Sequence, residues 1–158
     1  MNNINLNPDL MKKILSSSKV VAMVGVSSEK KEIATNIKRK PSIIVMKYLQ
    51  EFGYKVIPVN PSAVGKKINE EIAVEKLSDI QINVDIVNVF RPSQFTPAIA
   101  EETVKIGAKT LWLQYGIQND EAKKICTSAN INYIDDKCIK QEYQKLFLKV
   151  NPVFPVLK

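Results

Sequence analysis

The chain has 158 residues, 45% of them apolar, and carries a formal net charge of +7 with no histidine. That length and composition predict one globular domain spanning 1–158, and exclude a disordered or disulfide-built chain. No apolar run is long enough to span a bilayer, and the start, "MNNINLNPDLMKK", lacks the basic and apolar regions of a secretory signal. A cytoplasmic, reducing location is therefore expected, with no membrane partner. The missing histidine removes Ser-His-Asp triads, phosphohistidine chemistry and histidine metal sites together. The charge is nearly all lysine; only Arg39 and Arg91 are arginine, and no nucleic-acid-binding motif accompanies it, so no nucleic-acid partner is expected. Cys126 and Cys138 form neither a disulfide framework nor a zinc pattern.

In chain order, an N-terminal helix is predicted at "PDLMKKILSS", within an N-terminal segment 1–18. "KVVAMVG" reads as a buried first strand ending at Gly25. A long loop follows, and a helix starts at "PSIIVMKYLQEFG", with Pro41 in its first turn and Gly53 as its stop. "YKVIPVN" is the second strand, and Pro58 argues for an edge or irregular position. The next stretch, 61–83, shows only a short helical pattern at "AVEKLSDI". "VDIVNVF" is the third strand. "TPAIAEETVKIG" is a helix with Thr96 as N-cap, Pro97 at N1 and Gly107 as the stop. "AKTLWLQ" is the fourth strand. "NDEAKKICTSAN" is a helix capped by Asn119 with acids in its first turn, and "INYID" is the fifth strand. A final helix, "KQEYQKLFLK", precedes an apolar tail, 149–158. Pro152 and Pro155 bar that tail from continuing the helix, so it is expected to pack on its own domain or on a protein partner, including a second copy of the chain.

"EFGYKVIPVN" and "KIGAKTLWLQ" share one pattern of helix end, glycine, lysine and strand. Strands alternating with helices predict an α/β fold: a Rossmann-like, doubly wound parallel sheet of five main strands, in three layers, α/β/α. The expected strand order is 3-2-1-4-5.

In such sheets ligands bind beyond the carboxyl ends of the strands. The rim read off the sequence comprises Gly25, Val26, Ser27 and Ser28 after strand one, and Asn60 and Pro61 after strand two. Phe90, Arg91 and Pro92 follow strand three, and Gln114 follows strand four. Only one of the three glycines of a dinucleotide fingerprint is present in "GVSSEK". Asn60 stands where an acid would hold an adenosine ribose, so NAD is not expected. Backbone N–H groups, two hydroxyls and the cluster Lys38, Arg39 and Lys40 ahead of Pro41 and Ser42 suit an anion with more than one phosphate. No catalytic pair and no metal-ligand set stands out. Trp112 reads as core, Cys138 as a packed thiol whose place at the rim leaves a redox role open, and Asp135 and Asp136 as turn or cap residues.

"VVAMVGVSS", "KYLQEFGYKVIPVNP", "VDIVNVFRPS", "GAKTLWLQYGI" and "DDKCIKQEY" resemble the small stand-alone CoA-binding proteins. Those in turn are similar to the N-terminal, CoA-binding domain of the succinyl-CoA synthetase α subunit. The resemblance runs in order over about 8–147. It implies a Rossmann-like domain that binds coenzyme A or an acyl-CoA. Val26, Ser27 and Ser28 would lie along the pyrophosphate and pantetheine, Asn60 and Pro61 beside the adenosine, and Phe90, Arg91 and Pro92 on the opposite wall. Pro41 and Ser42 fit the family pattern, whereas "EKKEIATNIK" is an insertion ahead of "RKPS". The resulting expectation is a non-enzymatic CoA binder acting as sensor, carrier or regulatory partner. Two alternatives stand beside it: a small NADP-dependent oxidoreductase with Tyr115 as proton donor, and an interaction module with a vestigial pocket.

Overall fold

A computed structural model describes residues 7–26 and 41–149. Apart from the short helical pattern of the 61–83 stretch, the expected helices and main strands lie where the sequence places them. Helix α1 (Pro8–Ser17) starts on a cap from Asn7, whose Oδ1 accepts from Leu10 N at 3.1 Å. Strand β1 (Val20–Val24) follows, then α2 (Pro41–Glu51) and β2 (Lys55–Val59). The crossover to the third main strand carries a small antiparallel ribbon, β3 (Lys67–Ile68) with β4 (Glu71–Ile72). It also carries two 3₁₀ turns, Pro61–Ala63 and Leu77–Asp79; the second is all that forms of the helical pattern read there. Next come β5 (Ile86–Val89), α3 (Thr96–Lys105), β6 (Thr110–Leu113), α4 (Asp120–Ser128), β7 (Asn132–Ile134) and α5 (Ile139–Tyr143), which runs into one π-helical turn.

The five main strands are parallel, as expected, but their order is β2-β1-β5-β6-β7. Counting main strands only, that is 2-1-3-4-5, the flavodoxin-type order, and it corrects the expected 3-2-1-4-5. Pro58 supplies the physical reason. Its carbonyl accepts from Val74 N at 3.0 Å on the outer side of β2, so its missing N–H also faces outward. A full strand cannot pair there; a single bridge, Val59 to Val74, does. The third main strand is thereby displaced to the other side of β1, where Val21 to Val24 pair with Ile86 to Val89.

Both faces of the sheet are covered, which explains the unbroken apolar runs of β1, β5 and β6. On one face, Met11, Ile14 and Leu15 of α1, Ile43, Met46 and Leu49 of α2, and Ile139 of α5 pack on Met23, Ile86, Trp112 and Ile134. On the other, Ile99 and Ala100 of α3 and Ala122 and Cys126 of α4 pack on Ala22, Val87, Val89, Leu111 and Leu113. Trp112 is core, as expected, and its Nε1 donates to Lys137 O at 2.8 Å. The Asn119 cap forms: Oδ1 accepts from Ala122 N at 2.9 Å. The Thr96 cap does not. A 3₁₀ turn, Ser93–Phe95, leads directly into α3, so Phe95 is the cap residue and Thr96 already helical. The Thr96 hydroxyl instead donates to Ser93 O at 2.7 Å.

Burial of titrating groups sets an alkaline limit on this core. Cys126 is fully buried, and burial pushes its thiol up to about 12. Tyr54 is pushed up to about 12, by burial first and by Tyr143 second, while its hydroxyl donates to Leu15 O at 2.6 Å. Both groups are neutral when protonated, so the native state holds their protons more tightly than the unfolded chain does. Their contribution is complete below the unfolded values near 9 and 10 and is lost as pH climbs towards 12. Denaturant midpoints should accordingly fall between pH 9 and 12, and Cys126→Ala should flatten that fall. A midpoint slope identical in the variant would show that Cys126 is not its source.

Candidate functional site

Strand order reverses between β1 and β5, and there the chain opens a cleft of about 660 Å³. Its floor is the carboxyl ends of β1 and β2, Val24 and Val59, with the turns Gly25 to Val26 and Pro61 to Ser62. One wall is Glu75, Lys76 and Leu77 from the crossover. The other is Arg91 and Phe95, continued by Ala98, Ile99 and Glu102 along α3.

Two devices hold the floor. Gly25 N donates to Val59 O at 3.1 Å, extending the sheet ladder into the turn. Asn60 then ties the two turns together: Nδ2 donates to Val26 O at 2.7 Å and Oδ1 accepts from Ser62 N at 2.8 Å. Asn60 therefore fastens the floor with the same amide that the family resemblance sets beside an adenosine. Asn60→Ala should lower stability by about 1–2 kcal/mol, since it removes a cap and leaves Val26 O without this donor. Chemical denaturation measures it; a loss under about 0.3 kcal/mol would show that the tie contributes nothing.

Arg91 leaves β5 beside Gly25. A methyl on Gly25 would stand 3.2 Å from Arg91 Cγ and 3.3 Å from the Phe90 carbonyl carbon. The guanidinium lies 4.4 Å from the centre of the Phe95 ring, a cation–π stack that fixes its direction. Arg91 forms no ion pair with any described residue. A planar, permanently charged, pre-oriented donor beside a cleft is suited to phosphate oxygens.

The structure thus gathers Gly25, Val26, Asn60, Pro61 and Arg91 around one cleft. It places the other described candidates elsewhere on the rim. Phe90 turns to the opposite face of the sheet and packs on the cluster of α1, α2 and α5. Pro92 is exposed ahead of the 3₁₀ turn. Pro41 and Ser42 open α2, Pro41 exposed and Ser42 buried. Gln114 is buried at the end of β6, and its Oε1 has no hydrogen-bond partner among the described residues. Ser27, Ser28, Lys38, Arg39 and Lys40, with the rest of the insertion and the tail 149–158 apart from Lys149, lie outside the described residues. Asp136 does the turn duty expected of it: its backbone is left-handed, φ 56°, and Oδ1 accepts from Gly116 N at 2.7 Å.

The sequence reading missed Glu75, Lys76 and Leu77, because nothing local says that the crossover folds back over the strand ends. It recognised the helix holding Ala98, Ile99 and Glu102, but not that this face overlooks the cleft.

A family model described as a CoA binding domain matches residues 19–144, which include every residue of the cleft. The chain belongs to the CoA-binding domain family. It is similar to "Uncharacterized protein YneT" of Bacillus subtilis, with 38% identity over 133 residues, covering 82% of this chain and 89% of the relative. Two solved structures share the fold over nearly their whole length. One, from Thermus thermophilus and described as cell-free ID.343, is 32% identical at a TM-score of 0.80, covering 90% of this chain and all of that one. The other, a hypothetical protein from Pyrococcus horikoshii OT3, is 30% identical at a TM-score of 0.81, covering 92% and 96%. The α/β, Rossmann-like reading therefore holds for the fold, and the resemblance to CoA-binding domain proteins holds for the family. No described helix is long and apolar enough to cross a membrane.

Proposed function

We propose that this CoA-binding domain protein holds coenzyme A or an acyl-CoA across the cleft and the adjoining carboxyl edge, and binds it without turning it over. The supporting observation is the coincidence of the family match with all walls of a cleft whose one stacked, unpaired cation is Arg91 among the described residues. The described lining contains a single hydroxyl, Ser62, and the chain has no histidine to activate it. A role as sensor, carrier or regulatory partner is consistent with binding alone.

Thermal shift and calorimetric titration with CoA, acetyl-CoA, NAD and NADP test the ligand. A ligand at a hundredfold excess over its Kd stabilises the native state by about 2.7 kcal/mol. CoA should do so and the dinucleotides should not. Stabilisation by NADP but not CoA would transfer the cleft to a small oxidoreductase. Release of thiol from acetyl-CoA or succinyl-CoA above a heat-treated control would refute the non-catalytic part.

A further inference from the structure

The carboxyl edge continues past the cleft to a second corner, formed by Gln114, Cys138 and the ends of β6 and β7. Along β6, Leu111 and Leu113 face α3 and α4 whereas Trp112 faces the α1 side; Gln114, two residues on, shares the Trp112 face. The segment bearing Cys138 runs beside it: Trp112 Nε1 donates to Lys137 O at 2.8 Å and Lys137 N to Leu113 O at 3.4 Å. Cys138 is free, half-buried, and packs on the same cluster as Phe90 and Trp112. Gln114 is only 8% exposed, and its Oε1 is a buried acceptor with no partner among the described residues. Such an atom has given up its water without a replacement, and a donor that reached it would restore the lost hydrogen bond. Asn88, on the same face of the neighbouring strand, repeats the pattern: Nδ2 donates to Trp112 O at 3.2 Å and Oδ1 is unpartnered.

A pantetheine arm supplies what the corner lacks. It carries two amide N–H donors and ends in a thiol two carbons beyond the second. Strands stand about 4.8 Å apart, so the in-sheet step from β1 to β6 is about 10 Å; the corner lies on the sheet face opposite the cleft, so an arm whose nucleotide sits in the cleft must also pass over the carboxyl edge to reach it.

Resting on the CoA reading above, we propose that Cys138 is a thiol–disulfide exchange site for CoA disulfide, with Gln114 Oε1 accepting an arm amide. The Cys138 thiolate attacks one sulfur of the disulfide. A Cys138–CoA bond forms, the CoA–CoA bond breaks, and one CoA leaves as thiolate, so no further oxidant is needed. Cys126 is an internal control: it is fully buried and its thiol is pushed up to about 12 by that burial.

The test is intact-mass and peptide spectrometry of the full chain after incubation with CoA disulfide, and separately with glutathione disulfide. One CoA adduct is expected, on Cys138, reversed by dithiothreitol. It should form at least about tenfold faster than the glutathione adduct, because binding holds the reacting sulfurs together. Acetyl-CoA, whose sulfur is blocked, should slow the CoA reaction by a similar factor. Cys138→Ser should carry no adduct. Gln114→Leu, verified as folded by its melting temperature, should lose most of the preference for CoA disulfide. Equal rates for the two disulfides, an adduct on Cys126, or no adduct would overturn the proposal. Calorimetry with reduced CoA separates the failures. Binding without an adduct sinks the exchange site alone; no binding sinks the proposed function with it.

Discussion

Gly25→Ala should lower stability by about 2 kcal/mol or more and weaken CoA binding at least about tenfold. Gly25 has φ +95°, a backbone region that costs a side chain about 1–3 kcal/mol. A Cβ there would also press on Arg91 Cγ at 3.2 Å, on the Phe90 carbonyl carbon at 3.3 Å and on Arg91 Cδ at 3.4 Å. The backbone carbon cannot swing aside, so Arg91 must move, and its stack on Phe95 at 4.4 Å moves with it. Gly53→Ala is the matched control. Gly53 has nearly the same φ, +96°, but nothing within 4 Å of its would-be Cβ. It shares the backbone strain without the crowding and lies at the end of α2, away from the cleft. Denaturant unfolding and calorimetric titration of both variants separate the two terms. Equal stability losses with unchanged CoA affinity in Gly25→Ala would show that the turn does not shape the site.

Arg91→Ala should weaken CoA by about ten- to a hundredfold while leaving stability within about 0.5 kcal/mol. A hydrogen bond to a charged group contributes about 1.5–3 kcal/mol, and a factor of ten in affinity is about 1.4 kcal/mol. The stack on Phe95 and the closeness of Gly25 hold the guanidinium in place before ligand arrives, so little side-chain freedom remains to be lost on binding. Arg91→Lys keeps the charge and loses the planar fork, and should recover less than half of the lost binding energy. Phe95→Ala should weaken binding a few-fold, by freeing the guanidinium rather than removing it. Because the interaction is ionic, the gap between wild type and Arg91→Ala should narrow as salt rises. Calorimetry at low and high salt reads all four proteins. An Arg91→Ala variant with wild-type affinity would place the phosphates elsewhere.

How much of this was legible beforehand depends on the range over which each signal acts. Apolar runs of β-branched residues, Asn119 as a cap, Pro41 at a helix start and the stops at Gly53 and Gly107 are local, and each element formed where they put it. The cap falls one position earlier than the expected Thr96, because a 3₁₀ turn runs directly into the helix. Five of the candidate rim residues meet at the cleft because strand ends lie on one edge of any parallel sheet.

What only the tertiary structure decided is which strands are neighbours, and therefore which rim residues share a face. The sequence by itself determined an α/β domain with five parallel strands, since periodicity and turn chemistry act within a few residues. It even held the clue to strand order in Pro58, whose missing N–H forbids a full strand outside β2. That clue becomes decisive only once Val74 is seen occupying the outer edge. The alternation of strand side chains is a period of two, and which face each parity meets is a property of the packed layers. The family resemblance sets Phe90 and Arg91 on one wall; strand parity puts Phe90 on the α1 face and Arg91, next in the chain, at the cleft. Glu75, Lys76 and Leu77 reach the site through a crossover with no regular period of its own. Such a segment is placed by the surfaces it covers, and these exist only in the folded chain.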